Sequence, residues 1–156
     1  MFANRPDGII RDASGPSVGK AHDMRQYREQ EVAERHRRDA RVNGVQYIAG
    51  GDCAFGRTDI MIAPFKGTLL TVEQALFNEI FKRLRIGVEL TFGWVVRDFA
   101  YIDFKKTQVV GKRPIAKYYL AAVILTNCRS CLYGNQVASY FACSRPTLRD
   151  YLNRIA

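Results

Sequence analysis

The stretch that decides the fold is Gln46-Tyr-Ile-Ala-Gly-Gly-Asp-Cys-Ala-Phe55. Its apolar residues predict a short strand over Val45–Ile48, which Gly50 and Gly51 end and Asp52 follows. A carboxylate at the carboxyl end of a strand lies on a rigid element, where binding and catalytic groups are commonly placed. Gly and Asp are also ordinary turn residues, so this stretch by itself indicates no more than a turn aspartate.

Strands and a charged helix are predicted on both sides of this stretch. Gly8 to Asp12 follows a Pro-Asp-Gly turn and predicts a strand, and Asp59 to Phe65 is a second short apolar run that Pro64 interrupts. His22 to Arg41 predicts a surface helix with a narrow apolar stripe, which Asp23 would cap. Its charges suit either a solvated face or a nucleic-acid contact. The arginines expected to face outward are Arg25, Arg28, Arg35, Arg37, Arg38 and Arg41.

A long helix is predicted after the second apolar run. Thr71 and Gln74 have the spacing of a capping box, which marks a helix start. The pattern stays helical to about Phe99, which corresponds to roughly 43 Å at the rise of an α-helix. Because a small domain seldom needs that length, we expect a bend or break at Gly87 or Gly93.

Glu89 is the unusual residue of this helix. At helical spacing it shares a face with Ile86, Phe92 and Val96. A carboxylate on an apolar stripe is costly to bury unless it is paired or binds a metal. It could form an ion pair with Arg85, one turn earlier, or serve as a metal ligand, and sequence position favours neither.

The carboxyl-terminal third is predicted to be helical. Tyr101 to Val110 reads as a basic connection, and Pro114 suits the first turn of a helix. Ala116 to Leu125 is apolar nearly all round, which is typical of a buried helix. A turn and a short terminal helix with Pro146 in its first turn are expected within Tyr140 to Leu152.

Cysteines offer a weak alternative, a zinc-stabilised structural domain. Cys128 and Cys131 form one CxxC pair, but a zinc site needs four ligands. Cys53, Cys143 and the two histidines show no second paired spacing. Buried thiols near a helix end are therefore the favoured interpretation.

Composition limits the class of protein. With 156 residues and 47% hydrophobic content, the chain is long enough for one domain with its own core. The net charge of +9, with 17 arginines among 24 basic residues, favours a polyanionic partner: nucleic acid first, an acidic membrane surface second. No apolar run reaches a membrane span and no secretory signal is visible. Four cysteines without such a signal suggest reduced thiols inside the cell.

Several motifs, taken in order, resemble the carboxyl half of DDE-type transposases of the PIF/Harbinger class, the DDE superfamily endonucleases. The resemblance covers about Pro6 to Leu152. The segments that carry it are Pro6-Asp-Gly-Ile-Ile10, Gly15-Pro16, Gly19-Lys-Ala-His-Asp-Met24, Gly51-Asp-Cys-Ala-Phe55, Leu70-Thr71, Phe77-Asn78, Arg85, Val88-Glu-Leu-Thr-Phe-Gly93, Thr126-Asn127-Cys128 and Cys131-Leu-Tyr-Gly134. The last two and the Pro-Thr-Leu-Arg-Asp-Tyr-Leu ending resemble fungal and oomycete members.

The resemblance implies an α/β protein with an incomplete RNase H-like fold: a mixed sheet with flanking helices and a helical carboxyl-terminal region. It implies divalent-metal chemistry, with Mg²⁺ or Mn²⁺, on DNA phosphodiesters. Asp52 and Glu89, 37 residues apart, would be two of the family's triad of catalytic, metal-holding carboxylates. DNA is the implied partner, a second transposon-encoded DNA-binding protein a further candidate, and the nucleus the expected compartment.

One departure from the family pattern limits the expected activity. The first aspartate of the triad lies on an earlier strand, upstream of Met1, so residues 1–156 are expected to be a single partial endonuclease domain. Asp7 is not expected to be the missing aspartate, because it matches the turn before a later strand. Asp23 matches a helix start and does not belong to the triad. We expect a truncated, weakly active or inactive endonuclease with an exposed sheet edge and poor solubility. The rival hypothesis is a non-catalytic nucleic-acid- or protein-binding module derived from a transposase.

Overall fold

The structure is a computed structural model that describes residues 2–13, 32–39, 41–42, 44–102 and 114–155. The predictions for Asp23, for the first part of His22 to Arg41 and for most of Tyr101 to Val110 lie outside these residues. The chain is mixed α/β, as predicted. The elements are β1 (Phe2–Asn4), β2 (Ile10–Ala13), α1 (Val32–Asp39), β3 (Arg41–Val42), β4 (Val45–Gln46), β5 (Ala49–Gly50), β6 (Met61–Ile62), α2 (Val72–Asp98), a 3₁₀ turn (Ala100–Ile102), α3 (Ile115–Tyr133), α4 (Gln136–Tyr140) and α5 (Leu148–Ile155).

Two compact units divide the chain. The first comprises Ser17–Arg85, and the second joins Phe2–Pro16 to Ile86–Ala156, so the boundary falls within α2. The described strands form three separate two-stranded sheets, where the sequence had predicted one mixed sheet. Short strands explain the difference, since β3 to β6 have only two residues each.

In the first unit, the strand that leads to Asp52 lies later than predicted. β3 and β4 form an antiparallel hairpin, and Val45, Tyr47 and Ile48 are more than half exposed. The parallel strand is β5, in which Ala49 pairs with Met61 of β6. A strand is confirmed within the predicted range, at Val45–Gln46, but the prediction that it leads to Asp52 is wrong. The strand before Asp52 is Ala49–Gly50, and its partner Met61 lies beyond the reach of local periodicity.

The described part of the charged helix, α1, ends earlier than predicted. It ends at Asp39, and Arg41 begins β3 instead of continuing the helix. Ala33 packs against the buried Met61, which confirms one position of the predicted apolar stripe. Arg37, Arg38 and Arg41 are exposed, whereas Arg35 is only partly so.

The start of α2 confirms the predicted capping box. The backbone N–H of Gln74 donates to Thr71 Oγ1 at 3.3 Å, and the N–H of Thr71 donates to Gln74 Oε1 at 3.1 Å. The helix then runs without interruption from Val72 to Asp98. Of the predicted bend or break at Gly87 or Gly93, the break is therefore wrong.

Gly87 serves close packing within the second unit. A Cβ atom there would lie 3.1 Å from the Phe141 ring and 3.3 Å from Val137. The carbonyl of Gly87 accepts hydrogen bonds from Thr91 Oγ1 at 2.7 Å and from Asn4 Nδ2 at 3.1 Å. These contacts offset the low helix propensity of glycine.

The amino-terminal hairpin β1–β2 belongs to the core of the second unit. Ile10 packs with Val95, Ile102, Ala122 and Val123. Asn127 of α3 is 1% exposed, and its side chain accepts from the N–H of Ile10 at 2.9 Å and donates to its carbonyl at 2.8 Å. Asn127 thus meets the hydrogen-bonding needs of a strand edge that would otherwise be buried unpaired.

The prediction that Ala116 to Leu125 is a buried helix is wrong. Ala122 and Val123 are buried, but Leu120, Ile124 and Leu125 are 41%, 41% and 53% exposed. Further along α3 the buried face is polar, with Thr126, Asn127 and Ser130. The apolar composition of the first half of this helix therefore did not predict which of its faces is buried. Pro114 precedes the first turn as expected, but α5 begins at Leu148, two residues after Pro146.

Candidate active site

Asp52 lies in a turn directly after β5. Its Oδ1 accepts the backbone N–H of Ala54 at 2.8 Å, and its carbonyl accepts the N–H of Phe55 at 3.1 Å. This is the turn role that the sequence allowed. Within the described residues, Oδ2 has no hydrogen-bond partner, and the side chain is only partly buried. One carboxylate oxygen therefore remains available to a ligand.

The two glycines before Asp52 allow the strand to lie close to its neighbours. A Cβ at Gly50 would lie 3.0 Å from the Phe81 ring, and one at Gly51 would lie 2.9 Å from the Phe55 side chain. The N–H of Gly51 donates to the Ile62 carbonyl at 2.8 Å, which continues the β5–β6 ladder. Any larger side chain would shift the turn that carries Asp52.

An ion pair joins α1 to the connection between β5 and β6. Arg37 Nε donates to Asp59 Oδ2 at 3.1 Å, and its second N–H group donates to Asp59 Oδ1 at 3.2 Å. The hydrogen bonds from Arg37 lower the pKa of the Asp59 carboxyl below its ordinary value. Asp59 thus anchors the charged helix beside the candidate site.

A cluster of aromatic rings follows β6. Phe65 and Phe77 meet edge to face with ring centroids 5.4 Å apart, and Phe77 stacks on the buried Phe81 at 5.6 Å. Arg57 places its guanidinium carbon 3.8 Å from the Phe65 centroid and 4.9 Å from that of Phe77. Sequence reasoning did not identify Arg57, because its stacking depends on rings 8 and 20 residues away in the chain.

Asn78 fixes the start of this cluster. Its Oδ1 accepts the N–H of Phe65 at 2.9 Å, and its Nδ2 donates to the Phe65 carbonyl at 3.1 Å. The motif Phe77-Asn78 was one of the segments that resemble the family, but the sequence did not predict what the Asn78 amide binds.

Glu89 lies in the second unit, on an exposed part of α2. Ile86 and Phe92 beside it are 40% and 43% exposed. The expectation of a carboxylate on a buried stripe is therefore wrong, because this side of α2 faces outward. An exposed carboxylate avoids the cost of desolvation and can accept a ligand.

Asp7 has a structural role. It is 5% exposed, pairs with Arg5 at 2.8 Å and accepts the N–H of Ile9 at 3.1 Å. It lies in the turn before β2, where the sequence placed it.

The four cysteines do not come together as a metal site. Cys131 is buried with Ile9 and Tyr151, Cys128 packs against the same group, and burial raises the pKa of the Cys131 thiol. Both lie near the end of α3, as expected of structural thiols. Among the residues that the structure describes, no three His, Cys, Asp or Glu side chains come together as a potential metal site.

Comparison with known families identifies the chain. The family model of the DDE superfamily endonucleases matches residues 1–127, which is most of the sequence, so the chain belongs to this family. It is thus a transposase-type nuclease domain. The family generally uses divalent metals, and it implies a DNA substrate. No curated protein and no solved structure matches the chain. None of the helices in the described ranges is long and apolar enough to cross a membrane.

Proposed function

We propose that this chain is a metal-dependent DDE-type domain of the PIF/Harbinger class that acts on DNA phosphodiester bonds. The observation that carries the proposal is the family match over residues 1–127. The fungal or oomycete subtype, the RNase H-like fold and a nuclear location belong to the same proposal. They rest on the ordered motifs and on the DNA substrate that the family implies.

Asp52 and Glu89 are the proposed catalytic carboxylates. Each supplies hard oxygen donors, the type that Mg²⁺ and Mn²⁺ prefer. Asp52 Oδ2, which has no hydrogen-bond partner among the described residues, and the exposure of Glu89 fit this role. A bound ion would supply Lewis-acid polarisation of the scissile phosphodiester. Asp52 and Glu89 would hold it, with the Asp52–Ala54 hydrogen bond fixing one oxygen of the Asp52 carboxylate.

Two carboxylates are proposed to be enough for metal binding. Mg²⁺ is commonly held by one or two carboxylates together with substrate phosphates. The expected result is Mn²⁺ binding in the presence of DNA.

The test measures Mn²⁺ affinity by calorimetry in the presence of an uncleavable DNA duplex. Asp52→Asn and Glu89→Gln should each weaken binding about tenfold or more, because each removes a charged ligand. Glu79→Gln is the matched control, since Glu79 is an exposed residue of the same helix that pairs with Arg83. Equal affinity of all four proteins would contradict the assignment.

A second candidate is a non-catalytic DNA-binding module. The net charge of +9 favours it, because a basic surface binds polyanions without any chemistry. Such a module would bind DNA equally well with and without the metal, and Asp52→Asn would change nothing. A second transposon-encoded DNA-binding protein remains the proposed partner for target recognition in either case.

A further inference from the structure

Arg57 differs from the other arginines that have recorded partners. Arg37, Arg83 and Arg129 donate to carboxylates, which occupy their N–H groups. In the described part of the chain, the recorded contacts of Arg57 are with the rings of Phe65 and Phe77. Its side chain is exposed. Its charge therefore lies against aromatic faces, and no carboxylate of the described residues pairs with it.

The guanidinium carbon of Arg57 lies 3.8 Å from the Phe65 centroid, and its side chain is exposed. A guanidinium over a ring is attracted by the ring face and keeps its N–H donors in its own plane. Two such donors match the spacing of two phosphate oxygens and can bind them in a bidentate manner. Arg57 therefore has the chemistry for a phosphate contact.

The rings beneath Arg57 are themselves fixed. Asn78 holds the backbone of Phe65 with two hydrogen bonds, and Phe77 stacks on Phe81, which is 2% exposed. A fixed platform lowers the entropy that a long side chain loses on binding. An unstacked surface arginine has no such advantage.

The position of Arg57 relates it to Asp52. Both lie in the connection between β5 and β6, five residues apart, so their Cα atoms are at most about 18 Å from each other. We propose that Arg57, stacked on Phe65 and Phe77, binds the backbone phosphate of the DNA strand on which Asp52 acts. This inference rests on the proposed function, and it makes Arg57 a positioning residue for the substrate.

The experiment measures the affinity of the full chain for a short DNA duplex over a series of salt concentrations. Arg57→Ala should weaken binding about tenfold, as expected for the loss of a charge-assisted bidentate contact. It should also reduce the slope of log affinity against log salt by about one. Arg83→Ala is the matched control, because Arg83 is an exposed arginine of the same unit that Glu79 already pairs.

Two further variants separate stacking from charge. Arg57→Lys keeps the charge but loses the planar fork, so the salt slope should stay constant while affinity falls about threefold or more. Phe65→Leu leaves Arg57 intact and removes part of its platform, with the same expected result. Thermal unfolding identifies any variant that fails to fold. If Phe65→Leu fails to fold, Arg57→Lys still tests the role of the guanidinium, because it changes only the surface.

The outcomes distinguish the two proposals. If the wild-type chain binds DNA and Arg57→Ala behaves like Arg83→Ala, the role of Arg57 is overturned while the proposed function stands. If the wild-type chain does not bind DNA at low salt, the proposed function fails, and the role of Arg57 fails with it. Binding of an acidic protein that needs Arg57, without DNA binding, would also overturn the inference.

Discussion

Asn127 shows what a single buried amide contributes at the scale of the residue. Besides its two bonds to Ile10, its Nδ2 atom lies 3.0 Å from the hydroxyl of the buried Tyr151. Three elements, β2, α3 and α5, therefore meet at one side chain. No local sequence pattern predicts this role, because the hydrogen-bond partners of Asn127 lie 117 and 24 residues away.

Asn127→Ala should lower the free energy of unfolding by about 2–4 kcal/mol, because it leaves the N–H and the carbonyl of Ile10 buried without partners. Urea unfolding measures the effect. Asn153→Ala is the control, since Asn153 is exposed on α5 and its loss should cost less than about 0.5 kcal/mol. Similar costs for both variants would contradict this role of Asn127.

The carboxyl group of Asp59 makes the free energy of unfolding depend on pH. Its pKa is lower in the folded chain, so the pair with Arg37 stabilises the fold above the ordinary aspartate pKa of 3.8. That stabilisation disappears as the pH falls through the lowered pKa. Asp59→Asn should therefore lower the melting temperature slightly at neutral pH and leave it unchanged in strong acid. A difference that is the same at both pH values would contradict this account.

At the scale of elements, local signals were predictable and distant ones were not. The capping box at Thr71 involves residues within one turn, so sequence located the start of α2 correctly. The register of β5 depends on Met61, and the exposed side of α3 depends on where the hairpin packs. Asp52 at a strand end could be predicted, whereas the stacking of Arg57 could not, because rings from two other segments create it.

The two glycines of α2 should respond to substitution in different ways. Gly93→Ala should stabilise the protein by about 0.5–1 kcal/mol, because alanine favours helix and a Cβ there meets nothing within 4 Å. Gly87→Ala gains the same propensity but crowds Phe141 and Val137, at a cost of about 1–3 kcal/mol. Chemical denaturation of both variants should show Gly87→Ala as the less stable by at least about 1 kcal/mol. Equal stabilities would show that Phe141 moves aside freely.

At the scale of the whole molecule, a basic charge coexists with much exposed apolar surface. Leu125 and Leu132 of α3 and Leu76 and Ile80 of α2 are all about half exposed. Exposed apolar side chains grouped on helices favour association. The sequence predicted poor solubility from an open sheet edge, and the helices now supply a more specific cause to test.

Leu125→Lys should raise the solubility of the purified chain, because it places a charge in the exposed apolar surface of α3 without removing core contacts. Precipitation by polyethylene glycol measures the change. Lys117→Leu, on the same helix, is the reverse control and should lower solubility. A Leu125→Lys variant that precipitates at the wild-type concentration would show that this surface is not responsible.

The discontinuous second unit has a consequence for how the chain is made. Its hairpin leaves the ribosome first, yet the Ile10–Asn127 and Asp7–Asn135 hydrogen bonds join residues 117 and 128 positions apart. At about 5–20 residues per second, the hairpin waits roughly 6 to 23 seconds for Asn127 to be synthesised. During that interval the nascent chain holds Ile9 and Ile10 without their packing partners. The core of the second unit can therefore close only after Asn127 and Asn135 have been synthesised.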